Sequence, residues 1–99
     1  MIDFTKIEGF DWDFGNLRKN FDKHKVSQAE AEQVYFNQPL LIFSDDKHSQ
    51  NEARYHALGK TNENRMLHVT FSLRKSGTLI RVISARDMHR KERVVYEKR

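Results

Sequence analysis

The sequence predicts a small α+β domain, with its elements in the order β-α-α-β-β-β-β-α. Two patterns support this class: the first third has apolar residues at helical spacing behind two capping signals, and the chain after Pro39 alternates as strands do. The 99 residues suffice for one domain, and the aromatic residues, 11% of the chain, supply much of its core. We therefore expect a single domain over residues 1–99, in which a small antiparallel sheet carries two N-terminal helices on one face and a helix ends the chain.

The first elements are a short strand and a helix. Residues 10–13 alternate between apolar and acidic side chains, which predicts the strand. Asp13 is a suitable N-cap for a helix over residues 14–24. The apolar stripe of this helix is Phe14, Leu17, Phe21 and His24.

A second helix is predicted over residues 28–37. Ser27 and Glu30 have the spacing of a capping box, in which each side chain binds the backbone N–H of the other residue. Pro39 ends the helix, because proline cannot extend it.

Four strands and a last helix are predicted for the remainder. The strands are 40–44, 52–59, 66–73 and 78–85. A polar loop, 45–51, separates the first two, and a four-residue loop, 74–77, with Gly77 at its end joins the last two. Ser84 and Asp87 match a capping box, so we expect the last helix to begin near residue 85.

The position of the hairpin loop determines which side chains share a face of the sheet. A loop at 74–77 pairs Leu73 with Thr78, Thr70 with Arg81 and His68 with Ile83. The face predicted to form the core collects Leu67, Val69, Phe71, Leu73, Ile80 and Val82. The opposite, mixed face collects Met66, His68, Thr70, Ser72, Leu79, Arg81 and Ile83. An arginine in the middle of a sheet face needs water or a counter-charge, so the mixed face is the predicted working surface.

Positive charge is concentrated at the C-terminal end. The net charge is +4, and residues 81–99 carry the whole excess, with seven Lys or Arg against three Asp or Glu. A localised basic region is typical of phosphate binding. Arg81 and Arg86 are close in the chain, and we expect their guanidinium groups to converge on one anion. The alternative is a solvated helix end, where cations favour the helix dipole.

Several classes of protein are disfavoured. The chain has no cysteine, which excludes disulfides and thiolate metal sites, and its five histidines show no paired ligand spacing. We therefore expect no metal and no cofactor. The N-terminal residues do not resemble a secretory signal, and no apolar run approaches a membrane span. A cytoplasmic protein without membrane contact is expected.

RNA cleavage is the reaction that these residues best fit. RNA carries its own nucleophile, the 2′-hydroxyl, so a protein must supply a proton acceptor, cations around the phosphate and a proton donor. Arg81, and Arg86 at the expected start of the last helix, would hold the phosphate. Arg90 and Arg93 would extend the contact along that helix, or would form a solvated basic face paired with Glu97. Arg54 or His56 would assist from a neighbouring strand.

The first predicted helix offers further candidates. Asn20 and Lys23 share its polar side and would contact RNA, although they could equally be its solvated side. His24 follows them directly. Proton transfer could fall to His24, to His68 or to a nearby glutamate, and the residues alone leave this open.

Five segments carry a family resemblance: "WD" (12–13), "NFDKHKVS" (20–27), "EA" (30–31), "HSQNEARYHALG" (48–59) and "RVISARDMHRKERVVYE" (81–97). Together they resemble the BrnT family of bacterial toxins. The resemblance implies a RelE-like fold and an RNA-cleaving toxin of a type II toxin–antitoxin pair. It also implies a BrnA-like antitoxin as partner, which is a ribbon-helix-helix protein. The complex of the two would repress its own operon, so that DNA is contacted only through the antitoxin.

Position by position, Arg54, Arg81 and Arg86 match arginines of that family, and Asn20, Lys23 and His24 match its helix motif. A competing interpretation is a binding module of the same fold, whose basic face docks nucleic acid or an acidic protein without cutting. Incubation with RNA in excess chelator distinguishes the two.

Overall fold

The computed structural model describes residues 2–49 and 51–98, and within them it contains a five-stranded sheet and three α-helices. The strands are β1 Gly9–Asp11, β2 Leu41–Ser44, β3 Arg54–Lys60, β4 Met66–Arg74 and β5 Leu79–Asp87. The helices are α1 Phe14–His24, α2 Gln28–Gln33 and α3 Arg90–Glu97. The α+β class is confirmed, and the elements follow one another in the predicted order.

The sheet has the strand order β1-β5-β4-β3-β2. Three of its strand pairs are antiparallel, whereas β1 runs parallel to β5. The prediction of an antiparallel sheet was therefore wrong. Alternating residues indicate a strand but carry no information about the direction of its partner.

The two N-terminal helices begin at the predicted caps. The Asp13 carboxylate accepts from the backbone N–H of Asn16, and Ser27 and Glu30 form a complete capping box. The helix α1 ends at Lys25, which adopts the left-handed conformation with φ 56°. The second helix is shorter than predicted, because a 3₁₀ turn, Val34–Phe36, replaces its last part.

The core lies between these helices and one face of the sheet, which we call the helical face. Buried helix-side residues such as Val26, Ala31 and Val34 meet buried sheet residues: Ala57, Leu67, Val69, Phe71, Ile80, Val82 and Ala85. Gly59 permits the closest approach, since a Cβ there would lie 2.9 Å from the Cβ of Val34. Each large apolar side chain buried in this way contributes roughly 1.5–3 kcal/mol.

The β4–β5 hairpin has its loop one residue later than predicted. Arg74 pairs with Leu79, so the four-residue loop is 75–78, and Ser72 rather than Thr70 stands opposite Arg81. The observed partner of each β4 residue near the loop is therefore two residues farther along β5 than predicted. Because side chains alternate every second residue, each side chain near the loop keeps its predicted face. Phe71, Leu73, Ile80 and Val82 are on the helical face, as predicted. Lys75 and Ser76 take positive φ angles in the observed turn.

A β-bulge interrupts the same hairpin. The register changes between Thr70 and Phe71, because Thr70 pairs with Ser84 while Phe71 pairs with Val82. Ile83 is the extra residue, and beyond it every side chain of β5 changes face. Ala85 consequently enters the core, and Arg86 reaches the face that also carries Arg81. In an unbroken strand, positions five apart would point to opposite faces.

The last helix begins five residues later than predicted. Pairing with β4 continues to Asp87, so Ser84 and Asp87 are strand residues and cap nothing. The true start is at His89, whose backbone N–H donates to the Glu92 carboxylate at 2.8 Å. Arg86 therefore belongs to a strand, not to the first turn of a helix.

The helix α3 covers one end of the sheet face opposite the helical face. Its Tyr96 packs with Leu58 and Met88, and the Tyr96 hydroxyl donates to the backbone carbonyl of Pro39 at 2.6 Å. No helix of the described residues covers the remainder of this surface, which we call the open face. No helix within the described residues is long and apolar enough to cross a membrane.

Arg65 joins the ends of several elements on the helical side. It donates to the carboxylates of Asp87 and Glu30, and to the backbone carbonyls of His24 and Lys25. These contacts fix the end of α1, the start of α2 and the end of β5 to one another.

Candidate active site

The open face presents its side chains in rows across the strands. One row runs Asp11, Arg81, Ser72, Arg54; the next runs Ser84, Thr70, His56, Phe43; the third runs Arg86, His68, Leu58, Leu41. Neighbouring strands are about 4.8 Å apart, so adjacent residues in a row are within side-chain reach of each other. The rows bring together Arg54, Arg81, Arg86 and His68 from the predicted site.

The first row is a candidate phosphate site. Arg54 and Arg81 flank Ser72 on its two sides, roughly 10 Å apart at their backbones. Ser72 is almost fully buried, and its hydroxyl has no hydrogen-bond partner within the described residues. The Arg81 Nε lies 3.3 Å from an Asp11 carboxylate oxygen. Both are partly exposed, and such a long, single contact is weak enough for a phosphate to replace.

Two histidines occupy the middle rows. The rings of His56 and His68 have their centroids 4.8 Å apart. His56 is held at both nitrogens, with Nδ1 3.0 Å from the Thr70 hydroxyl and Nε2 2.9 Å from the Asp45 carboxylate. Asp45 also contacts His48, and these hydrogen bonds outweigh the effect of burial and lower the pKa of Asp45. His56 is therefore a well-ordered ring on this face.

His68 is the more deeply buried of the two rings, with a side chain 12% exposed against 30% for His56. Burial, and then the positive charge of Arg86, lower its pKa to about 4, so the imidazole is neutral at neutral pH. Its Nδ1 has no hydrogen-bond partner within the described part of the chain. Its Nε2 lies 3.8 Å from a Glu92 oxygen, too far for a hydrogen bond but near enough to stabilise a positive charge. A neutral ring beside a carboxylate can accept a proton.

Arg86 is bound to Glu92 rather than poised for an anion. Two parallel hydrogen bonds, of 2.8 and 2.9 Å, join their side chains. Burial would raise the pKa of Glu92, but the bonds from Arg86 and from the His89 N–H outweigh it and lower that pKa to about 2. The carboxylate is thus ionised and engaged.

The expectation that Arg81 and Arg86 converge on one anion was wrong. Their partners on β4, Ser72 and His68, are four residues apart, which is roughly 13 Å along a strand. Each guanidinium also contacts a different carboxylate, Asp11 for Arg81 and Glu92 for Arg86. The two share a face because of the bulge, but they do not form one binding site.

The predicted RNA contact of Asn20 is also wrong. Asn20 is buried, and its side-chain oxygen accepts from the backbone N–H of Ala85 at 3.3 Å. That N–H lies next to the bulge, so Asn20 satisfies a donor beside the interrupted ladder. Its role is to join α1 to β5.

Other predicted residues lie away from the open face. His24 and Lys23 end α1, which packs on the helical side, so His24 is separated from His68 by the sheet. Arg90 and Arg93 occupy the first turn of α3, where Arg93 donates to the Met88 carbonyl at 2.9 Å and Arg90 is exposed. Lys23 and Arg90 are exposed but lie outside the rows, so they could contact a nucleic acid only at the margins of the site.

Sequence reasoning missed Asp45, Glu92 and the role of Ser72. The polar loop with Asp45 indicates only a turn, because its contact with His56 depends on the β2–β3 register. Glu92, by contrast, had a detectable signal, since it stands three residues after His89 at capping-box spacing. Within residues 2–49 and 51–98, no group of three or more histidine or acidic side chains is placed to hold a metal ion.

Comparison with known proteins relates the chain to one family. The family model described as the ribonuclease toxin, BrnT, of type II toxin–antitoxin systems matches residues 12–92. The 1.1 Å crystal structure of the Brucella abortus ribonuclease toxin BrnT superposes with a TM-score of 0.63 and 21% identity, covering 83% of this chain and 97% of that one. At that identity the likeness shows a shared fold. No curated protein sequence matches the chain.

Proposed function

This chain belongs to the BrnT family of ribonuclease toxins of type II toxin–antitoxin systems, and we propose that its open face cleaves RNA internally, without a metal ion. The observation that carries the proposal is the row in which Arg54 and Arg81 flank the buried hydroxyl of Ser72, which has no hydrogen-bond partner among the described residues. The neutral ring of His68 and the ordered ring of His56 lie in the adjacent rows. Cations and proton carriers thus share one surface.

The proposed reaction uses the substrate's own nucleophile. The ribose 2′-oxygen attacks the adjacent phosphorus and loses its proton to His68, and the bond from phosphorus to the 5′-oxygen breaks. A proton must then reach the departing 5′-oxygen, and His56 is our candidate donor once its Nε2 has exchanged Asp45 for that oxygen. The products are a 2′,3′-cyclic phosphate and a 5′-hydroxyl. Arg54 and Arg81 stabilise the charge that grows on the phosphate oxygens, with Arg81 released from Asp11.

Arg86 has an indirect part in this scheme. Its bidentate bond fixes the Glu92 carboxylate beside His68. There the negative charge of Glu92 stabilises the imidazolium that forms when His68 takes the proton. Arg86 is therefore a positioning residue, whereas Arg54 and Arg81 touch the substrate.

The wider function follows from the family. A ribonuclease toxin of a type II system has an RNA target and an antitoxin. We propose that the antitoxin is BrnA-like, with a ribbon-helix-helix fold, and that the toxin domain is RelE-like. The antitoxin would silence the toxin by covering the open face with an acidic segment, and the complex would repress its operon. The free toxin would inhibit translation in the cytoplasm by cutting RNA.

The test is cleavage of single-stranded RNA in excess chelator, with analysis of the ends. We expect cyclic-phosphate ends from the wild type and a loss of roughly 10²–10³ in rate for Arg81→Ala. Arg18→Ala is the matched control, since it removes an equal charge from an exposed position on α1, on the other side of the sheet. Arg54→Ala should resemble Arg81→Ala.

Two results would contradict the proposal. Cleavage that stops in chelator and returns with added Mg²⁺ would refute the metal-free reaction. Intact RNA that is nevertheless bound, with affinity that Arg81→Ala weakens, would show instead that the domain is a binding module. The carboxylates already paired with Arg81 and Arg86 are the feature that would favour that second function.

A further inference from the structure

A recess of about 320 Å³ opens on the open face between β2, β3, β4 and α3. Phe43 and Val95 form much of its apolar wall, His56 and His68 form another wall, and Lys91 and Glu92 belong to its rim. We propose that this recess is a nucleobase subsite, in which the base of a nucleotide near the cleaved phosphate stacks on the ring of Phe43. The inference rests on the proposed function and adds to it a binding site for a single unpaired base.

Phe43 is the first reason. It is 44% exposed, although large apolar side chains of a sheet are normally buried. It stands directly opposite His56 in the β2–β3 ladder, in the row between the two rows that carry arginines. An aromatic ring left accessible next to the groups that would do the chemistry is a stacking platform of the kind used for unpaired bases.

The surroundings of the recess indicate a base rather than an aliphatic ligand. Arg54 is two residues from His56 on β3, so a phosphate held there and a base in the recess can belong to the same strand of RNA. Lys91 adds a positive charge at the rim. The ring of His68 and the remaining lone pairs of the Glu92 carboxylate can form hydrogen bonds with the edge of a base, which an aliphatic chain could not use.

The size and openness of the recess select a single strand. Its volume is at the lower end of the range for pockets that hold small molecules, about 300–1,000 Å³. A base must be turned out of a helical stack to enter such a recess, which is how proteins read unpaired RNA. We therefore expect the enzyme to favour loops and single strands over duplex RNA.

The first experiment measures stacking without cleavage. The probe is a nine-nucleotide single-stranded RNA with 2′-O-methyl riboses, which cannot react through a 2′-hydroxyl, and with 2-aminopurine placed at each position in turn. We expect the fluorescence of one position to be quenched by the wild type. Phe43→Ala should lose that quenching and weaken binding by about ten- to a hundredfold, the usual effect of removing one stacking ring. Phe14→Ala, which removes a more exposed ring from α1, should behave as the wild type.

The second experiment links the recess to cleavage. A cleavable RNA with an abasic residue at the quenched position should be cut about ten- to a hundredfold less efficiently by the wild type. Phe43→Ala should cut it as fast as the wild type does, because the ring then has no base to contact. Phe43→Leu retains apolar volume and should keep the fold, but it has no aromatic ring. If this variant also loses the quenching, the effect comes from stacking on the ring and not from apolar burial of the base.

The outcomes separate the two proposals. If RNA is cleaved but Phe43→Ala matches the wild type in quenching, affinity and rate, the subsite is refuted and the proposed function stands. If Phe43→Ala weakens only the binding of the antitoxin, the recess is a protein-docking site and the subsite is likewise refuted. If no variant cleaves RNA but the wild type quenches the probe through Phe43, the proposed function fails and the subsite is supported.

Discussion

Arg86→Ala should destabilise the fold far more than Arg81→Ala, although both arginines lie on the same face. Arg86 makes two short charge-assisted bonds to Glu92, and both side chains are only about a quarter exposed, 25% and 24%. Removing one partner of a buried pair costs about 3–5 kcal/mol, and the residual exposure reduces this to roughly 2–3 kcal/mol. Arg81 has a single 3.3 Å contact with Asp11, so its loss should cost under about 1 kcal/mol.

Thermal and urea unfolding of the two variants measure this difference. For a domain of this size, a loss of 2–3 kcal/mol lowers the melting temperature by roughly 10–20 °C. Glu92→Gln, which removes the charge but retains an oxygen for the His89 N–H, completes a double-mutant cycle. We expect the double variant Arg86→Ala/Glu92→Gln to be more stable than the sum of the single effects by roughly 2 kcal/mol. Equal melting temperatures for Arg81→Ala and Arg86→Ala, or additive effects in the cycle, would refute the structural role of Arg86.

Three further predictions concern stability. Arg65→Lys should cost roughly 2–3 kcal/mol in urea unfolding, because an ammonium cannot replace the planar group that reaches four acceptors; a midpoint equal to that of the wild type would contradict this. Lys25→Gly should raise the free energy of unfolding by about 1 kcal/mol, since Lys25 has φ 56° and glycine has no Cβ to strain there. Destabilisation in urea unfolding would instead show that contacts of the Lys25 side chain stabilise the fold. Between pH 7.5 and pH 5 the free energy of unfolding should fall by about 2 kcal/mol. In the folded protein His68 has a pKa of about 4 and stays neutral over this range, whereas in the unfolded chain its pKa is near 6.5 and it binds a proton. His68→Gln should flatten this dependence in urea titrations at each pH, and an unchanged slope would remove His68 as its cause.

The local signals in the sequence predicted the N-terminal half well. Asp13 and the Ser27–Glu30 box begin α1 and α2 at the predicted residues, because a cap is satisfied by neighbours three positions away. The same kind of signal failed at Ser84 and Asp87. There the ladder between β4 and β5 continues for several more residues, and these tertiary hydrogen bonds outweigh a local capping pattern.

The candidate site was predictable only where strand alternation determines the face on which a side chain lies. Arg54, Arg81 and His68, which the sequence proposed for the site, lie on one face of the sheet, and the alternation of β4 placed His68 and Ser72 correctly on that face. Arg86 lies on that face only because of the bulge at Ile83, and no residue spacing in the sequence predicts this bulge. The contact between Asp45 and His56 likewise depends on how β2 aligns with β3, and nothing local determines that alignment.

β1 is the first strand in the chain, yet its partner β5 is the last. The contact between Asp11 and Arg81 spans 70 residues, whereas β3, β4 and β5 pair with near neighbours. Closing so long a loop costs conformational entropy, so local hairpins form early and distant pairs late. We expect β1 to join after the rest of the sheet has folded, with a φ-value near zero for Phe10→Leu and a higher one for Val69→Ala. Arg81 then contacts the Asp11 carboxylate only in the final step of folding. In a chain whose first strand has detached from the sheet, the charge of this arginine is uncompensated.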